Sequence, residues 1–175
     1  LFRSKLLTAV DTFGEVSPLA TAASKIMATS ANPAAVPSLT LADFTTLGIT
    51  GVTSYNLALI ITAIGATADS GADVDSLSVL QALVSATATA ALSNALTVLS
   101  LYDGTSGTTT PTINDYFNAG VVGVTSDNLS YVNAALAQMT TTSRDSTAEI
   151  QAIVDPFLII LSGADGLDNN NVAIT

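Results

Sequence analysis

Asp43-Phe44-Thr45-Thr46-Leu47-Gly48-Ile49-Thr50-Gly51-Val52-Thr53-Ser54-Tyr55-Asn56-Leu57 is the stretch on which the fold turns, because it is written twice. It returns 72 positions later as Asp115-Tyr116-Phe117-Asn118-Ala119-Gly120-Val121-Val122-Gly123-Val124-Thr125-Ser126-Asp127-Asn128-Leu129. Further along, Leu80-Gln81-Ala82-Leu83-Val84 returns as Ile150-Gln151-Ala152-Ile153-Val154 at an offset of 70. Order and residue type survive through turns as well as apolar positions. Repetition on this scale marks an array of small units rather than one enzyme core.

Within each copy the punctuation is helical. Thr40 and Thr112, each with an acid three residues on (Asp43, Asp115), form a variant of the capping box and open a first helix. Gly48 and Gly120 stand where a short helix needs its C-terminal cap. A second helix opens on Thr53 or Thr125; Leu57, Ile60, Ile61 and Ile64 then follow helical spacing, and Leu129, Val132, Leu136 and Met139 occupy the matching face. Asn133 replaces Ile61. A third helix starts at the box Ser146-Thr147-Ala148-Glu149, with Ile150, Ile153, Val154, Phe157 and Leu161 on its apolar face, matched by Leu80, Leu83 and Val84.

This spacing predicts an all-α chain of tandem small three-helix bundles joined by Thr/Gly/Asn-rich linkers. Residues 1–37 read as the helical remnant of a preceding repeat, with Thr21–Thr29 a helical piece ended by Pro33. Residues 38–104 form a three-helix repeat whose third helix is about two turns longer than its counterpart. A linker at 105–111, a second three-helix repeat at 112–166 and a trailing linker at 167–175 complete the layout. Leu1 is not a start methionine and no signal peptide is visible, so the expectation is a piece of something longer or a processed product.

Composition narrows the function. Only 10% of residues are charged, against about 25% in an average domain, so Thr, Ser and Asn make the polar surface. The net charge is −10, and the basic residues are Arg3, Lys5, Lys25 and Arg144 alone. Phosphate binding needs clustered Lys and Arg, so nucleic acid is excluded as a partner. Leu80–Tyr102 is uncharged and long enough to cross a bilayer. Its Gln81, Asn94 and many hydroxyls, with acidic flanks, favour a long half-buried helix over a membrane span.

Catalytic chemistry finds little to use. The chain has no His and no Cys, so triads, histidine-bearing zinc sites and thiol nucleophiles are absent. It reads as a non-enzyme without cofactor. Candidate calcium ligands are Asp69, Asp73 and Asp75 in one loop, and Asp165 and Asp168 in another. Neither loop has the alternating acid spacing and distal Glu of a calcium loop, and the second copy keeps only Asp145 beside Arg144. Solvated acidic loops are the preferred reading. Asn128-Leu129-Ser130 matches a glycosylation sequon, but Leu129 belongs to the apolar face of a helix. Phe44 and Tyr116, at equivalent positions, read as core.

Laid out this way, Asp115 to Asn133 and Thr147 to Asp155 resemble the modules found in tandem in giant secreted bacterial adhesins. They are similar, more distantly, to the albumin-binding GA-type three-helix modules of surface proteins. The resemblance covers most of residues 38–175. It implies an extracellular or cell-surface location in a bacterium, and a structural or adhesive role in a surface or biofilm-matrix protein. The expected partners are neighbouring repeats or identical chains, assembling as a fibre or filament. The alternative is a three-helix module that recognises a specific protein of the host-serum type. Thr- and Ala-rich helix faces without exposed aromatics favour the spacer.

Overall fold

The computed structural model describes residues 13–30, 32–34, 37–67 and 74–164. The described residues are helical, without strand, as the capping and spacing predict. In order they form α1 (Phe13–Thr29), α2 (Leu41–Thr46), α3 (Leu57–Gly65), α4 (Leu77–Leu101), α5 (Ile113–Asn118), α6 (Leu129–Ala137), a 3-10 turn at Thr141–Ser143, and α7 (Thr147–Ala164). The chain divides into two compact units, residues 1–90 and 91–175. The division falls inside α4, whereas the sequence reading ended the first repeat at 104.

In the first unit α1 packs on both α2 and α3. Leu19, Ala22 and Ile26 of α1 join Phe44 and Leu47 at α2, Ile60 and Ile64 of α3, and Leu80 and Val84 from the start of α4. In the second unit the far end of α4 supplies Ala95 and Leu99, which meet Tyr116, Val132, Leu136, Ile150 and Val154. Ala22, Ala23 and Ile26 in fact recur 73 positions later as Ala95, Leu96 and Leu99. The two extra turns of α4, surplus to a three-helix unit, therefore serve as the leading helix of the second core. The need is physical. Helices of six and nine residues, such as α5 and α6, are too short to persist in water alone and are held by packing their apolar face against a longer partner.

Helix ends follow the local chemistry. Asp43 accepts from the Thr40 N–H and hydroxyl, both at 2.8 Å, and Asp115 accepts the same pair from Thr112 at 2.7 Å. At the other end Gly48 and Gly120 adopt φ of 75° and 77°. This lets Ile49 N–H reach the Phe44 carbonyl and Val121 N–H reach that of Tyr116, each at 2.9 Å. Such a bond, spanning the last turn, satisfies carbonyls that a helix otherwise leaves open. At α7 the full box forms, with Ser146 donating to Glu149 at 2.9 Å. At α4 only half forms, since Val79 stands where Glu149 would be.

Candidate functional site

Several polar residues common to both repeats meet at the turn between the first and second short helices. Gly51 and Gly123 take φ of 84° and 88° there. Asn56 accepts from Thr53 N–H at 2.8 Å and donates through Nδ2 to the Gly51 carbonyl at 2.9 Å. Asn128 repeats both bonds with Thr125 and Gly123 at 2.8 Å. The turn is thus held by a side chain that ties its two ends together. A distant glutamine clamps it from outside. Gln81 accepts from Thr50 N–H and donates to Thr50 O; Gln151 does the same to Val122, at 2.8 Å and 3.2 Å. Repetition of Asn and Gln in the sequence was the available signal, but their partners lie across a turn or on another helix, and spacing alone does not reveal them.

Asn128 is buried and its Nδ2 is engaged with Gly123, so the folded sequon offers no accessible amide. Asp75 is exposed before α4, while Asp69, Asp73, Asp165 and Asp168 lie outside the described residues. Among the described residues no group of three or more potential ligands is arranged to hold a metal ion. Phe44 and Tyr116 are fully buried, as their equivalent positions predict.

Where the two units differ, the differences are matched. Tyr116 donates its hydroxyl to Asn133 Oδ1 at 2.7 Å, and Asn133 Nδ2 donates to the Pro111 carbonyl at 3.0 Å. The first unit has Phe44 and Ile61 at these places, and neither brings a polar atom. A buried phenol needs an acceptor, so the two substitutions belong together. Burial pushes the Tyr116 hydroxyl far above the ordinary phenol range, aided by repulsion from Tyr102 and Asp115. Arg144, 70 positions after Val74, is almost wholly buried. Its guanidinium donates to the Leu136 carbonyl at the end of α6, where the helix dipole favours a cation. The sequence reading had treated Arg144 as a loop charge.

The first unit instead carries Lys25, whose ammonium meets the Asp43 carboxylate at 2.9 Å and 3.0 Å. Burial alone raises the Asp43 carboxyl. The hydrogen bonds from Lys25 and Thr40 more than offset it and hold the group below its ordinary range.

The surfaces are not equivalent. Phe117, Val122 and Tyr131 are exposed in the second unit, Tyr131 by 63%, where the first has Thr45, Thr50 and Leu59. This corrects the expectation of faces without exposed aromatics: the second unit has them because these positions point away from the core, where no packing rule constrains them. An open groove of about 560 Å³ runs between α6 and α7, lined by Ala135, Met139, Ile153, Pro156 and Phe157. A smaller apolar pocket of about 100 Å³ lies among Ile26, Met27, Leu47, Val74 and Leu80 in the first unit.

α4 is, among the described residues, the single helix long and apolar enough to cross a membrane by length and composition. Its Thr87, Thr89 and Thr97 hydroxyls each donate to the carbonyl four residues back at 2.9 Å. In comparison with known proteins, no family model, no curated protein and no solved structure matches this chain.

Proposed function

We propose that this chain is a non-enzymatic structural and adhesive repeat segment of an extracellular bacterial surface or biofilm-matrix protein, built as tandem small helical bundles joined by Thr/Gly/Asn-rich linkers. One observation carries the reading. The polar side chains shared by the two repeats (Thr40 and Thr112, Asp43 and Asp115, Asn56 and Asn128, Gln81 and Gln151) are all engaged in caps, turns and clamps. What recurs is the scaffold, and no catalytic constellation recurs with it. A segment whose repetition preserves shape suits a spacer. Deleting the segment from the parent protein in the source bacterium, then scoring surface attachment and imaging fibres, tests this. Undiminished attachment with unchanged surface architecture would overturn it.

A second reading is favoured by the exposed aromatics of the second unit. Interface hot spots are enriched in Tyr and Trp, and Tyr131 and Phe117 have no aromatic counterparts in the first unit. On that reading the first unit is the spacer and the second captures a protein ligand. Stoichiometric capture of one serum protein, lost in Tyr131→Ala/Phe117→Ala, supports capture. Equal recovery with the double variant would count against it.

A further inference from the structure

We infer that α4 couples the two units energetically: one helix both closes the first core and opens the second, so that the units fold as overlapping members of an array rather than as independent beads. The argument starts from where the core residues fall along α4. Leu80 and Val84 are buried in the first core, Ala95 and Leu99 in the second, and all four lie on one helix of 25 residues. The recurrence of Ala22-Ala23-x2-Ile26 as Ala95-Leu96-x2-Leu99 places the leading helix of a unit inside the closing helix of the one before it. The intervening Ser85 to Ala90 contributes no fully buried side chain, so this stretch is held as helix by its own backbone and by its two ends.

Helix physics converts that placement into coupling. Starting a helix is unfavourable by a factor of about a thousand, whereas extending one is nearly neutral. Ala91–Leu101, the part of α4 in the second unit, is shorter than the roughly 12–15 residues that an isolated helix needs in water. Attached to a formed Leu77–Ala90 it needs no nucleus of its own. When the first unit opens, the second therefore loses the preformed start of its leading helix, and the same holds in reverse. This is the nearest-neighbour interaction of repeat proteins, carried by backbone hydrogen bonds. It rests on the helix alone and is independent of the extracellular role proposed above.

Native-state hydrogen exchange on the full chain, read by mass spectrometry for each helix, tests the coupling. Ile60 is fully buried in the first core. Ile60→Val should speed exchange in α2 and α3 by about fivefold, and in α5, α6 and the first turns of α7 by at least twofold. Thr89 is exposed in the middle of α4, and its hydroxyl bonds only to the Ser85 carbonyl. In a Thr89→Pro background, which interrupts the helix there, Ile60→Val should still act on α2 and α3 while its effect on α5 to α7 falls to about one. The milder Thr89→Gly keeps the N–H, guards against a variant that fails to fold, and should reduce the transmitted effect partway. Unchanged exchange of α5 to α7 in Ile60→Val with α4 intact would overturn the inference. So would transmission that persists at full size through both Thr89 variants.

Discussion

Tyr116 and Asn133 show at the residue scale why single substitutions here cannot be judged singly. Tyr116→Phe strands the Asn133 Oδ1 in the core and should destabilise the second unit by about 1–3 kcal/mol. Asn133→Ile strands both the Tyr116 hydroxyl and the Pro111 carbonyl, and should cost more. The double variant recreates the Phe44 and Ile61 pair of the first unit, and its loss should fall clearly below the sum of the single losses in urea unfolding. Strict additivity would mean that the 2.7 Å bond contributes nothing. A pH prediction belongs to Asp43. Its carboxyl is depressed in the folded protein, so the stabilisation it provides is complete above its ordinary value of 3.8 and is lost as pH falls through the lower folded-state value. Asp43→Asn should therefore be less stable than the native chain at pH 7, by about 1–3 kcal/mol. The two urea midpoints should converge on acidification below pH ~4. A gap that stays constant to pH 2.5 would place the stabilisation elsewhere.

Among the elements, the paired glycine turns permit a controlled comparison. Gly51 and Gly123 share the left-handed backbone, so an alanine at either costs about 1–2 kcal/mol in strain. Their surroundings differ. A Cβ at Gly51 would come no nearer than 4.0 Å to Val84, whereas one at Gly123 would overlap the Leu158 side chain of α7. Gly123→Ala should therefore be the more damaging by roughly a further 1–3 kcal/mol. Thermal unfolding of the two variants measures the difference, and equal losses would show that Leu158 swings aside freely. Pro156 sits inside α7 and cannot donate to the carbonyl of Ala152, yet the helix continues through it. Ile150 and Val154 before it, packed in the second core, hold the helix in place.

For the whole molecule, composition and burial together bear on how the chain meets its surroundings. α4 has the length and hydropathy of a span, but Leu80, Val84, Ala95 and Leu99 are turned into two cores and the protein carries a net charge of −10. Inserting it into a bilayer would require both cores to be dismantled. In a flotation assay with anionic vesicles the folded chain should remain in the dense fraction; co-migration with the lipid would show that α4 is a membrane element.

The sequence by itself determined the helical class, the capped starts of α2, α5 and α7, the glycine turns and the burial of Phe44 and Tyr116. It opened α3 and α6, however, at Thr53 and Thr125, three residues before their caps Asn56 and Asn128. The class, caps and turns follow from contacts within a few residues, the two burials from an aromatic recurring at equivalent positions, and the internal repeat displays the same answer twice. Three things were decided only in the tertiary structure. The clamps of Gln81 and Gln151 close over 31 and 29 residues, beyond any local pattern. Arg144 is buried against the end of α6, where it donates to the Leu136 carbonyl, and the folding of the chain brings the two together. The phase of the repeat is the third. Linkers and helix stops marked a unit ending at 104, but a compact unit ends where its core ends. Packing drew Ala95 and Leu99 into the second core although no break in the helix separates them from the first, because backbone hydrogen bonding sets where a helix stops and side-chain burial sets what it belongs to.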